Sequence, residues 1–319
     1  MVQTFNPANV LVSDSIGKEI VDTAFTQEFL NQLVATSNVV RLGQRVEMDG
    51  KMVRVDSEIG ELSDAYFVGE GEKIGTAKVE GVDYVLESKK IAVILPATEE
   101  ALAYTWKQYF EQIIPLIVDK FNKKIDGAAF LGLHGNPFGS NVLGAATTAG
   151  NVIEAALTAD AIYDLEALPT DEPNAFVGHR TLERGLRGLT DGGVTLPDGT
   201  TVNGERIFTR PSGNGTGTLD GLPYASLKLA QGEDYPEGTL ITGNFNGLKY
   251  GVPRGSQLRL KIADQATLSK VQNVSPDTGD VHLFEQDMQA LRAIFEIAVA
   301  VPQGERFAVL QPAVEDEGV

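Results

Sequence analysis

The chain has 319 residues, 42% hydrophobic and 22% charged, the balance of a folded globular protein long enough to bury a core unaided. A net charge of −18, from 26 basic and 44 acidic side chains, excludes a protein that grips nucleic acid through clustered cations and is suited to solubility at high copy number. The absence of cysteine excludes disulfides, thiolate metal sites and a cysteine nucleophile, and no apolar run approaches the ~20 residues of a membrane span.

Residues 1–38 have the character of an arm. Ile16, Ile20, Ala24, Phe25 and Leu30 fall near helical spacing, but no strong amphipathic helix or continuous strand emerges. The N-terminus lacks the basic-then-apolar pattern of a signal peptide, so folding in cytoplasm is expected. Residues 42–95 are mostly extended, with a loop near the middle. In "RVEMDGKMVRVDS", Asp49-Gly50 between β-favouring runs predicts a hairpin. The glycine-rich "YFVGEGEKIG" follows at 66–75. The chain then returns with Val82, Tyr84 and Leu86 on one face and Asp83 and Glu87 on the other, and Ile91, Val93 and Leu95 continue the strand until Pro96 stops it.

Thr98 is a competent N-cap, and Glu99 and Glu100 place negative charge in the first turn of a helix predicted over 98–131. Leu102, Trp106, Tyr109, Ile113, Ile117, Phe121, Ile125 and Ala128 form its apolar stripe. Pro115 is expected to bend it, and Gly132 and Gly135 to end it after about 50 Å. Residues 146–264 form a mixed α/β region. It holds a helix capped by Thr158, the strand "AFVG" and a second helix in "TLERGLRGLTD". A turn-dense stretch marked by Asp198-Gly199 and Asn203-Gly204 comes next, and then the strands "GTLITGNFNGLKYGV" and "SQLRLKI".

Two periods compete near the C-terminus. Phe284, Met288, Leu291 and Phe295 keep helical spacing. Leu291, Ala293, Phe295, Ile297, Val299 and Val301 alternate, with Arg292 and Glu296 opposite, which favours a long strand. Pro302-Gln303-Gly304 then predicts a turn into Phe307–Leu310 and hence a two-stranded β-ribbon.

Catalytic chemistry is not indicated. His134, His179 and His282 lie far apart with no metal-ligand spacing, and no serine sits in a nucleophile elbow. The "YFVGEGEKIG" stretch offers Gly69, Gly71, Gly75 and Lys73 as a phosphate loop, but the third glycine comes one position late for the dinucleotide fingerprint. A strand follows where an anion-binding helix is needed, and Glu70 and Glu72 would repel a phosphate. No catalytic, cofactor or metal residues are expected, and no enzymatic activity.

A run of segments in fixed order carries a resemblance. "AYFVGEGEKI" is followed by "LESKKIAVILPATEEAL", then by a long helix ending in "DGAAFLGLHGNPFG", then "LDGLPY" and "FEQDMQALRAIFEIAVAVPQGERFAVL". Together they resemble the major capsid proteins of tailed bacteriophages, of the Hong Kong 97 type. The resemblance implies an α+β fold with an N-terminal arm (1–38), an extended E-loop (39–95) and a peripheral domain with a long spine helix (96–145). It also implies an axial domain (146–264) and a return to the peripheral domain (265–319). It implies a structural protein assembling as pentamers and hexamers into a shell around double-stranded DNA, without sequence-specific DNA contacts or a membrane.

In that family the E-loop lies across a neighbouring subunit, which makes Phe67, Glu70, Glu72 and Lys73 candidates for contact between subunits. Met1 stands directly on the arm, so a separate scaffolding protein is expected besides a portal and a possible decoration protein. Lys73 and Lys78 lie in the excursion that some members cross-link, but no motif assigns a partner Asn or assisting Glu, and cross-linking is not predicted. Two other readings remain: an encapsulin-like nanocompartment shell, told apart by its gene neighbourhood, and a monomeric α/β binding module or hydrolase using the 191–220 loops.

Overall fold

The structure is a computed structural model that describes residues 36–312, apart from 63–66, 74–75, 77–78, 191–193, 196–200, 203, 210–215, 230–232, 234–236, 254–258 and 269–280. The helical spacing at 16–30, Tyr66, Gly75, Lys78 and the Asp198-Gly199 turn therefore lie outside the described residues. The chain divides into two compact units, one drawing on 90–119 and 255–296, the other on 36–89, 120–254 and 297 onwards.

In the larger unit a seven-stranded sheet forms the main core. Its strands are β5 (Val152–Glu154), β6 (Ala175–His179), β9 (Phe208–Thr209), β10 (Thr216–Leu219), β11 (Leu222–Leu227), β12 (Leu240–Gly243) and β18 (Phe307–Gln311). Their order is β5-β18-β12-β6-β11-β10-β9. β6 pairs antiparallel with β12 and parallel with β11, and four of its five residues are buried, as expected of an apolar run covered on both faces. Two helices, α4 (Ala159–Ala167) and α5 (Leu182–Leu186), contribute Ile162, Leu165 and Leu186 to the cluster around Phe176, Tyr224 and Leu310. Each such side chain contributes about 1.5–3 kcal/mol by leaving water. Thr158 caps α4 as predicted, its hydroxyl accepting from Ala161 N at 3.2 Å. Asp220 (φ 47°) and Gly221 (φ 79°) close β10 onto β11, a two-residue turn that the sequence reading passed over.

Asp49-Gly50 does not close a hairpin. β1 (Gln44–Met48) pairs parallel with β13 (Lys249–Pro253), and β2 (Met52–Leu62) pairs antiparallel with β3 (Val79–Glu87). The two runs thus enter different sheets, and Gly50 lacks the left-handed φ that a two-residue hairpin turn requires. At the base of the β2–β3 ribbon, Val53 lies opposite Leu86 and Val55 opposite Tyr84. This face packs with Met48, Ala298 and Ala300 of the chain's own body.

In the smaller unit, β4 (Lys89–Thr98) runs two residues past Pro96, and α2 (Glu99–Leu131), whose residues from 120 on belong to the larger unit, starts directly after it, with Pro115 inside the helix. Thr98 is thus the last residue of the strand. β14 (Arg259–Ala263) pairs antiparallel with β17 (Met288–Ala300), and β4 is a further partner of β17. Two short strands, β15 (Thr267–Leu268) and β16 (Val281–His282), pair beside a cluster of Val281, Leu283 and Ala290.

The period-two strand is therefore present, but the predicted β-ribbon is not. β17 and β18 do not pair: the residues after 296 pass into the larger unit, where β17 ends beside β13 and β18 lies between β12 and β5. From Phe295 to Ala300 every residue is buried, so both faces of that segment are covered. A strand covered on both faces finds its partners in sheets, not in the nearest turn.

Candidate assembly site

The glycine-rich tip of the ribbon holds the four candidate residues. Phe67, Glu70, Glu72 and Lys73 are all exposed, and Phe67 keeps none of its ring from solvent. The turn is held by two reciprocal bonds: Glu72 N donates to Gly69 O (3.1 Å), and Gly69 N donates to Glu72 Oε2 (3.2 Å). Gly71 adopts φ 84°, a conformation that Cβ disfavours and the turn requires. The backbone amides that a phosphate would need are in part already engaged, and by a carboxylate. Of the four candidates, Glu72 turns inward on its own loop, while Phe67, Glu70 and Lys73 face outward. Sequence spacing alone gave no signal for this, although a Glu three residues after a Gly in a turn is the pattern that allows it.

The ribbon's other face is only partly polar. Met52 and Val85 are exposed on the side opposite the buried Val53–Leu86 pair. The resemblance has the excursion lie across a neighbouring subunit. The structure divides it: the base is covered by the chain itself, and the tip and outer face are left open.

Elsewhere the polar clusters have structural geometry. Lys124 Nζ donates to Glu233 Oε1 (2.6 Å), and His134 Nε2 stands 3.2 Å from the same oxygen. This ties the segment before β12 to the turn after α2. Burial lowers the His134 pKa and outweighs the Glu233 charge beside it. Glu166 is pushed up to about 7, first by burial and then by the charge of Asp220. Among the described residues no three His, Asp or Glu side chains converge on a metal site. His179 bonds to Thr181 and His282 to Thr267.

An exposed apolar tip on a two-stranded ribbon, with no convergent chemistry among the described residues, directs attention to assembly. The sequence profile of the Phage capsid family matches residues 17–311. The chain belongs to the phage capsid family. The major capsid protein of Staphylococcus phage 80alpha is 37% identical over 314 residues, covering 98% of this chain and 90% of that protein. Solved structures from Microbacterium phage Oxtober96 and Mycobacterium phage Adephagia share the fold, with TM-scores of 0.64 and 0.63 at 22% identity. They cover 87% and 88% of this chain and 91% of each of theirs. The mixed helix-and-strand architecture of this capsid-family chain is thus the one found in phage capsids.

Proposed function

We propose that this protein is a major capsid protein whose pentamers and hexamers close into an icosahedral shell around the double-stranded DNA of a tailed phage. The supporting observation is 37% identity to a phage major capsid protein along 98% of the chain. Heterologous contacts between copies are the symmetry that builds rings and closes shells. In this reading the outward Phe67, Glu70 and Lys73 rest on a neighbouring copy, and Glu72 shapes the turn that presents them. Residues 146–264 meet around the five- and six-fold axes, with 96–145 and 265–319 forming the periphery. A scaffolding protein and a portal complete the assembly in the host cytoplasm, with room for a decoration protein on the shell. DNA is enclosed without sequence-specific contacts, in keeping with a charge of −18 that disfavours gripping it.

Negative-stain electron microscopy of the purified protein, alone and with its scaffold, tests this. Closed shells or capsomer rings are expected. A stable monomer with measurable turnover of a substrate would overturn the assignment.

A further inference from the structure

Ionisable side chains with almost no exposure are few, and Asp126, on the face of α2 that receives residues 37–39, is 2% exposed. Its carboxylate accepts from Ser37 Oγ at 2.8 Å, Asn38 N at 3.0 Å and Val39 N at 3.3 Å. These residues open α1 (Asn38–Leu42), so a helix far away in sequence caps the short helix at the root of the N-terminal segment. Asn38 is held in turn, its Nδ2 donating to Ser226 O at the end of β11 (3.0 Å).

The groups around the carboxylate are mostly neutral. From α1, Arg41 favours its charge, but Arg41 gives its hydrogen bond to Asn38 Oδ1 at 3.1 Å. From α2, one turn earlier, comes Asn122, buried and with neither amide atom bonded among the described residues. From β11 comes the Ser226 carbonyl, which accepts from Asn38. A buried carboxylate whose neighbouring cation gives its hydrogen bond elsewhere is costly even when other donors reach it.

We infer that Asp126 forms a proton-linked latch for the root of the N-terminal segment: docking residues 37–39 on α2 and taking up a proton at Asp126 favour one another. When the root lifts, the carboxylate meets water and regains its ordinary acidity. When the root docks, burial raises its proton affinity, and the three hydrogen bonds offset this only in part, leaving a pKa of about 6. The stability gained is therefore full below the ordinary carboxylate range and is lost as pH rises through about 6. Ser37 suits both states. Its hydroxyl donates to the carboxylate, and after protonation it can turn and accept from the new O–H at Oδ1, while Oδ2 keeps the Asn38 N–H.

Amide hydrogen exchange at residues 38–42, corrected for the intrinsic pH dependence of exchange, reads the latch directly on the purified protein. Protection in the wild type is expected to rise by about tenfold between pH 7.5 and 5.0. Asp126→Asn should abolish that dependence, and Ser37→Ala, which removes a donor to the ionised carboxylate, should reduce protection most at pH 7.5. Equal protection at both pH values in the wild type, or the same rise in Asp126→Asn, would overturn the latch. Should Asp126→Asn fail to fold, the carboxyl carbon shift of Asp126 in the wild type decides. A midpoint near 6 supports the latch, and one near 4 removes it.

Discussion

The seven-stranded sheet and the tip of the β2–β3 ribbon use apolar residues in opposite ways. In the sheet Phe176, Tyr224, Leu240 and Leu310 are buried against one another and against α4 and α5. At the tip Phe67 and Val68 are exposed, on a turn held by its own backbone and one glutamate. One region spends its hydrophobic free energy within the chain, and the other keeps it available. A two-stranded ribbon is marginal in water by itself. Here its base borrows stability from Met48, Ala298 and Ala300, which leaves the tip free of any folding role. Changes in the sheet should therefore act on the fold, and changes at the tip on association.

The largest effect is expected at Gly243, which ends β12 with φ 147°. A Cβ there would collide with the Arg306 carbonyl oxygen and the Phe307 backbone of β18, both main-chain atoms that cannot turn aside. Gly243→Ala should lower stability by roughly 3 kcal/mol or more, read as a fall in the urea midpoint of the unassembled protein. An unchanged midpoint would mean that β12 and β18 separate easily, and the contrast between a rigid sheet and an open tip would fail.

How much of this was legible in sequence follows the same division. The long helix, the Thr158 cap, β6 and the period-two run of β17 were visible because each is specified by neighbours in the chain. The errors at Asp49-Gly50 and Pro302–Gly304 share a cause. Both are genuine breaks, but a turn signal reports where a strand ends and not which strand it joins. β1 joins β13, some two hundred residues later, and β18 joins β12 and β5. Partner choice is decided by burial over the whole fold, which local turn chemistry does not encode.

At the tip, the order of segments along the chain marked the family, and the resemblance in turn made Phe67, Glu70, Glu72 and Lys73 candidates for contact between subunits. The inward turn of Glu72 was not visible, because it depends on a backbone conformation set by Gly71. Asp126 was hidden more deeply. On the helical stripe it is one polar residue among several, and only the return of residues 37–39 makes it an enclosed acceptor.

The second prediction turns to the tip itself. Phe67→Ser should leave the urea midpoint of the unassembled protein within about 0.5 kcal/mol of wild type, since the side chain is fully exposed. Its cost should appear only on assembly, where each subunit loses about 2 kcal/mol of apolar burial. The yield of sedimenting shells, measured against capsomers, should fall at least tenfold. A drop in monomer stability, or an undiminished shell yield, would place the ring inside the fold or outside the contact.

The finest distinction lies at Glu72, where two roles predict different responses to one isosteric change. If Glu72 acts by accepting from Gly69 N, then Glu72→Gln keeps an acceptor oxygen at the same reach and should assemble like the wild type. Glu72→Ala removes the acceptor, frees the turn and should lower the assembly rate by about threefold, without altering monomer stability. If Glu72 instead meets a cation on a neighbouring copy, the Gln and Ala variants should be equally impaired, and the impairment should shrink as salt is raised. Light-scattering assembly rates for the three proteins at two salt concentrations separate these outcomes. The Gln variant matching wild type at both would assign Glu72 to shaping the tip, leaving Phe67 and its outward neighbours to make the contact.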